Sequence, residues 1–144
     1  MSEEGRLLDP QRVRLDAAAD SREGAVEAAV SLLREDPRIQ SWDEFRPWIG
    51  PKQVMDLEGS GGGVILAHGR SAAVRDMALS ALRWSSPSGP RFIFVFAIPS
   101  AMNEQYLRKV GALARVCRDE KKLAALASAS TPEEFAASLE EWIA

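Results

Sequence analysis

Apolar residues in this chain recur at two spacings, and the changes between them mark its elements. Residues 92–98, Phe-Ile-Phe-Val-Phe-Ala-Ile, form an unbroken aromatic and β-branched run that predicts a strand covered on both faces. Pro99 closes it. Residues 64–67, Val-Ile-Leu-Ala, make a shorter run of the same kind directly behind Gly61, Gly62 and Gly63. A brief strand is expected near residues 12–15. Helical spacing puts Ala25, Val26, Ala29, Val30 and Leu33 on one stripe, with Asp20 and Glu23 as an opening capping box and Pro37 as the stop. Ser41 and Glu44 open a second helical stretch in which Trp42, Phe45, Trp48 and Ile49 share a face. Pro47 and Pro51 predict a kink or two short pieces there. Both tryptophans read as core or helix-contact residues.

Residues 74–84 fit both spacings: a helical stripe through Val74, Met77, Ala78, Ala81 and Leu82, or alternation through Met77, Leu79 and Ala81. Residues 85–90 read as a turn. Beyond Pro99, Asn103 is placed to cap a helix with Leu107, Val110, Ala114 and Cys117 on one face. A shorter helix over 119–127 turns Leu123, Leu126 and Ala127 inward. Thr131, Pro132 and Glu134 supply cap, first-turn proline and capping-box glutamate for a last helix lined by Phe135, Leu139, Trp142 and Ile143. A strand buried on both faces needs helices above and below it. The expected fold is therefore α/β: one domain over residues 1–144, an α/β/α sandwich around a mixed, mostly buried sheet of about five strands flanked by helices.

Composition narrows the function classes. The 144 residues, 46% of them hydrophobic, suffice for one sizeable core. A net charge of -3 without an evident basic stripe argues against a nucleic-acid binder. A single cysteine excludes an internal disulfide and a cysteine-based zinc site, and it suits a reducing cytosol. No apolar run approaches the ~20 residues that span a bilayer, and the acidic start is unlike a signal peptide, so a cytoplasmic protein without membrane insertion is expected. The residues call for no cofactor and no metal.

Candidate chemistry concentrates in residues 59–70, Gly-Ser-Gly-Gly-Gly-Val-Ile-Leu-Ala-His-Gly-Arg, which hold the only histidine. The short strand is expected to end at His68, with Gly69 letting the chain turn away and leave the imidazole at a cleft. Arg70 adds a permanent cation with a planar fork of donors suited to phosphate or carboxylate. By themselves these residues fit an ordinary turn histidine, or a nucleophile that attacks a phosphoryl group and holds it. The glycine run lacks the Gly-Lys-Ser/Thr ending of a P-loop, and Val64 stands where Gly-x-Gly-x-x-Gly needs its last glycine, so neither ATP nor NAD binding is expected.

The segment resembles the active-site run of the enzyme IIA domains of the fructose, mannitol and nitrogen-regulatory branch of the bacterial phosphotransferase system. Gly59, Gly61, Gly63, Val64, Leu66, His68, Gly69 and Arg70 match that pattern. The long run ending at Pro99, the helix after it and the segment Ser130-Thr131-Pro132-Glu133-Glu134-Phe135 also have counterparts there. The resemblance implies a strand over residues 74–84 and a phosphohistidine at His68, loaded by an HPr-like phosphocarrier protein. It also implies an onward partner, either a regulated protein or a transporter enzyme IIB domain, with a regulatory, nitrogen-type pathway preferred. On that reading Arg70, Gly69, Lys52, Ser71 and the glycine amides hold the phosphoryl oxygens. Four places depart from the pattern: Ala67 replaces a proline, Lys52-Gln53 an Arg-Glu pair, Leu57-Glu58 a Ser-Thr pair, and Tyr106 a second histidine. These changes leave the phosphorylatable residue and alter its support. They open the alternative of a non-catalytic regulatory module of the same fold that works by protein contact, with Met102 and Tyr106 as contact residues.

Overall fold

The computed structural model describes residues 6–57, 63–86 and 89–144. Its centre is the long apolar run, now strand β5 (Gly89–Pro99), whose residues from Phe92 to Ile98 are all buried. On one side β5 pairs antiparallel with β4 (Ala78–Ser86), and on the other parallel with β3 (Val64–Ser71). The parallel strand β1 (Val13–Ala17) and the antiparallel strand β2 (Val54–Asp56) complete a five-stranded mixed sheet in the order β1-β4-β5-β3-β2. Alternation along β5 separates the core into two layers. Phe92, Phe94, Phe96 and Ile98 face helices α3 (Asn103–Arg118), α4 (Glu120–Ser128) and α5 (Pro132–Ile143), while Ile93, Val95 and Ala97 face α1 (Arg22–Ser31) and the single turn α2 (Trp42–Phe45). This is the expected α/β/α sandwich.

The ambiguous residues 74–84 resolve as strand from Ala78 onward, because pairing with β5 buries both of their faces. Leu79 and Ala81 join one layer, Ala78 and Leu82 the other. Residues 87 and 88 of the expected turn lie outside the described residues. The helix caps correct the reading in two places. Ser21, not Asp20, caps α1, its hydroxyl accepting from the Gly24 amide at 3.0 Å. Asn103 is the first residue of α3 rather than its cap, and its side chain bonds elsewhere. Leu107 is 57% exposed, so the buried face of α3 runs instead through Tyr106, Leu113, Val116 and Cys117. Burial pushes the Cys117 thiol up to about 12, in keeping with a core residue.

Two arginines join elements in ways that no spacing announces. Buried Arg83 on β4 donates through Nη1 to the carbonyls of Leu126, Ala127 and Ala129, capping the end of α4 at 2.9 Å to each. Arg38 grips Asp36 with Nε and Nη2, at 2.9 and 2.7 Å, and donates to the carbonyls of Arg6, Leu7 and Met77. It thereby ties the N-terminal segment to the chain entering β4.

Candidate functional site

The site sits on β3. Val64 and Leu66 point into the α3-side layer and Ile65 and Ala67 into the other. Alternation therefore turns His68 and Arg70 toward α3 and Gly69 toward α2. The strand does not end at His68. It continues in register with β5 through His68↔Phe96, Gly69↔Ala97 and Arg70↔Ile98 to Ser71. What does stop beside the histidine is β2, whose last pairing with β3 is Val54↔Ala67. Gly69 is required by packing rather than by a turn: a Cβ there would lie 2.7 Å from Ile49 Cγ1 and 3.1 Å from Phe45 Cε1. A side chain at this position would push the strand away from α2.

His68 lines a cavity of about 240 Å³ with Trp48, Gln53, Arg70, Ile98, Asn103 and Tyr106. The Tyr106 ring stacks on the imidazole at 5.5 Å between centroids and 28° between planes, and is itself held by the Phe96 ring edge-on at 5.3 Å. Arg70 Nη1 donates to Asn103 Oδ1 at 2.7 Å, fixing the guanidinium at the start of α3. Burial, and then the charge of Arg70, hold the His68 pKa below the ordinary imidazole value. The ring is accordingly neutral at neutral pH and has a lone pair to offer. Its Nδ1 is shut off from solvent with no hydrogen-bond partner among the described residues. Nε2 is not enclosed in this way, so it is the nitrogen that an incoming group can reach. A neutral nucleophile beside a fixed guanidinium is suited to accepting a phosphoryl group and balancing its charge.

Of the residues expected from sequence, the cavity brings together His68, Arg70 and Tyr106. Lys52 is exposed on a 3₁₀ turn (Pro51–Gln53), and its neighbour Gln53 lines the cavity instead. Gly69 faces the opposite layer. Ser71 is buried, its hydroxyl accepting from the Ala73 amide at 3.0 Å. Glu58, Gly59, Gly61 and Gly62, with the glycine amides offered as phosphate donors, lie outside the described residues. Met102 is half-buried against the α3-side core. Trp48, expected as a core or helix-contact residue, is 61% exposed at the cavity. Its displacement has a legible cause: Pro47 sits inside a 3₁₀ turn (Arg46–Trp48) that follows α2 and rotates Trp48 off the helical face kept by Phe45. Asn103 carried no signal beyond its capping propensity.

Comparison with known proteins gives this arrangement its class. The model of the family described as "Phosphoenolpyruvate-dependent sugar phosphotransferase system, EIIA 2" matches residues 6–142, so the chain belongs to the type 2 enzyme IIA family of the phosphotransferase system. Over 137 residues it is 26% identical to the 2-O-alpha-mannosyl-D-glycerate-specific EIIABC component of the Escherichia coli (strain K12) phosphotransferase system. That match takes in 88% of this chain but only 21% of the relative, so the chain spans about a fifth of that protein's length. Its fold is similar to nitrogen regulatory protein IIA-Ntr from Neisseria meningitidis, with a TM-score of 0.68 at 24% identity, covering 96% of this chain and 99% of that one. It is also similar to the mannitol-specific cryptic phosphotransferase enzyme IIA CmtB from Escherichia coli, with a TM-score of 0.67 at 13% identity and coverage of 94% and 96%. Among the described residues no helix is long and apolar enough to cross a membrane.

Proposed function

We propose that this protein is a phosphoryl carrier whose His68 accepts a phosphoryl group on Nε2 from an HPr-type phosphocarrier and passes it to a further protein. The observation that carries the reading is a neutral, half-buried imidazole in a cavity shared with the fixed guanidinium of Arg70. Family membership supports a phosphoryl-carrier role. Arg70 is the principal charge for the phosphoryl oxygens. The likeness of fold to IIA-Ntr over nearly the whole of both chains supports a regulatory, nitrogen-type pathway in the cytoplasm, with a regulated protein as the onward partner. The transporter alternative, an enzyme IIB acceptor, draws its support from the mannosylglycerate relative.

Intact-mass spectrometry tests the proposal after incubation with phosphoenolpyruvate, enzyme I and either a nitrogen-type or a sugar-type phosphocarrier. Gain of one acid-labile phosphate, absent in His68→Ala, is expected. Faster loading from the nitrogen-type carrier is the expected sign of the regulatory branch, and a preference for the sugar-type carrier would move the protein to transport. Folded protein that gains no phosphate from either carrier would overturn phosphotransfer and leave a module that works by protein contact.

A further inference from the structure

We propose that Tyr106 is a phosphoryl-contacting residue, its phenol donating a hydrogen bond to a non-bridging oxygen of the group carried by His68. The inference rests on the reading of His68 as the phosphoryl acceptor. Tyr106 and His68 form one wall of the cavity, their rings stacked at 5.5 Å and 28°. The tyrosine is held in place before any phosphate arrives: it is 8% exposed and packs against the edge of Phe96 at 5.3 Å. A donor fixed in advance loses little freedom when the charge develops.

Its hydroxyl is the feature that structure alone leaves unexplained. Buried tyrosines ordinarily find a partner for the O–H. Here it makes no hydrogen bond to any described residue, yet it is not among the side-chain polar atoms that are both sealed from solvent and unpartnered, which among the described residues are Arg12 Nε and His68 Nδ1. An unpartnered hydroxyl that is not sealed off is reached by solvent, and the residue that bears it lines the cavity, so its donor is free for a group bound there. Arg70, the cation of the site, is already engaged at 2.7 Å by Asn103. A second donor on the facing helix would complement it across the phosphoryl group. Burial raises the phenol pKa, which keeps the proton available to donate.

In the transfer step the Nε2 lone pair of neutral His68 attacks the phosphorus of a phosphohistidine on the carrier. A new P–N bond forms as the carrier's P–N bond breaks, and that electron pair returns to the carrier imidazole. Each ring keeps its own N–H, so no proton is exchanged. Charge spread over the three equatorial oxygens in a loose transition state is where a positioned donor acts.

The test is Tyr106→Phe, which removes only the hydroxyl, with an unchanged melting temperature as the check on folding. Phosphate uptake is followed from phosphorylated HPr-type carrier and, without any carrier protein, from phosphoramidate. The expected result is a fall in maximal rate of about 10- to 100-fold with both donors, the size of one hydrogen bond to a charged group. KM for the carrier should be unchanged, and the ³¹P resonance of phosphorylated His68 should move. Tyr106→His, which puts an N–H donor back, should recover part of the rate lost in Tyr106→Phe. Wild-type rates and an unmoved ³¹P resonance in Tyr106→Phe would overturn the assignment, as would a change confined to KM. If the wild-type protein takes phosphate from neither donor, the reading of His68 fails first and this one falls with it.

Discussion

Arg70 Nη1 reaches Asn103 Oδ1 at 2.7 Å, and this hydrogen bond joins the penultimate residue of β3 to the first residue of α3. It keeps a cation near an imidazole whose protonation is already opposed by burial. Arg70→Gln should therefore raise the His68 pKa without restoring the ordinary value of 6.5, since burial is the larger cause and remains. The chain has one histidine, so a single imidazole resonance reports the titration by NMR. The sign is definite. A depressed folded pKa gives stability that is complete above 6.5 and is lost as the pH falls through the folded value. Phosphate uptake should fade over the same window, and in Arg70→Gln the loss should begin at higher pH. An identical titration in both proteins would contradict the coupling.

Gly69→Ala should destabilise the protein by about 1–3 kcal/mol, the range for overpacking a filled core. The new methyl would meet Ile49 Cγ1 at 2.7 Å and Phe45 Cε1 at 3.1 Å, and both side chains are buried. Urea denaturation measures the loss. Ile49→Ala removes Cγ1 itself, so adding the methyl at position 69 should cost less in the Ile49→Ala background than in the wild type.

Arg83→Met should release the end of α4. Three carbonyls that accept from Nη1 lose their donor, and an unsatisfied buried acceptor costs about 1–3 kcal/mol. Hydrogen exchange should quicken first in the α4 amides, while those of β5 keep their protection. Uniform acceleration across the sheet would mean that Arg83 supports the whole fold rather than this cap.

Asp36 should govern acid sensitivity. Burial pushes its pKa up, but hydrogen bonds from the Arg38 side chain and amide, together with the charges of Arg38 and Arg12, outweigh burial and leave it lowered from 3.8. Its contribution is thus present above the ordinary carboxylate value and lost as the pH falls through the lower folded value. Asp36→Asn leaves two largely buried guanidiniums facing a neutral amide and should cost about 3–5 kcal/mol at neutral pH. The variant should also lose this part of the acid transition. Calorimetry from pH 7 downward distinguishes the two slopes.

Trp48, exposed at the cavity mouth, should serve phosphocarrier docking. Trp48→Ala is expected to raise KM for the carrier about tenfold or more, as truncating a contact tryptophan commonly does, with the melting temperature kept. Uptake from phosphoramidate should be untouched. A lower rate with the small donor as well would place Trp48 in the chemistry instead.

Much of the scaffold was legible because its signals are local. The run from Phe92 to Ile98 has one satisfactory home, a central strand, and it occupies one. Thr131 caps α5 by accepting from the Glu134 amide at 3.1 Å, as its spacing to Pro132 and Glu134 implied. The Glu134 carboxylate departs slightly from the expected box, accepting from the Ser130 amide rather than that of Thr131. Where two periodicities fit equally, as over residues 74–84, the choice belonged to β5, whose edge the segment pairs with from Ala78 onward and so satisfies its buried backbone groups.

For the site, the sequence by itself picked out the candidate groups: one imidazole, a guanidinium two residues on, and the glycine between them. Their meaning was settled by tertiary structure. Gly69 reads equally as a turn or as a close approach, and only the arrival of Phe45 and Ile49 from another segment decides for the second. His68 and Arg70 share a face because β3 runs straight through them in register with β5. Tyr106, Asn103 and Trp48 reach that face from elements 33 or more residues away, or across a proline-bent turn. No spacing along the chain encodes such meetings, since they depend on the order of strands and the packing of helices on both sides of the sheet.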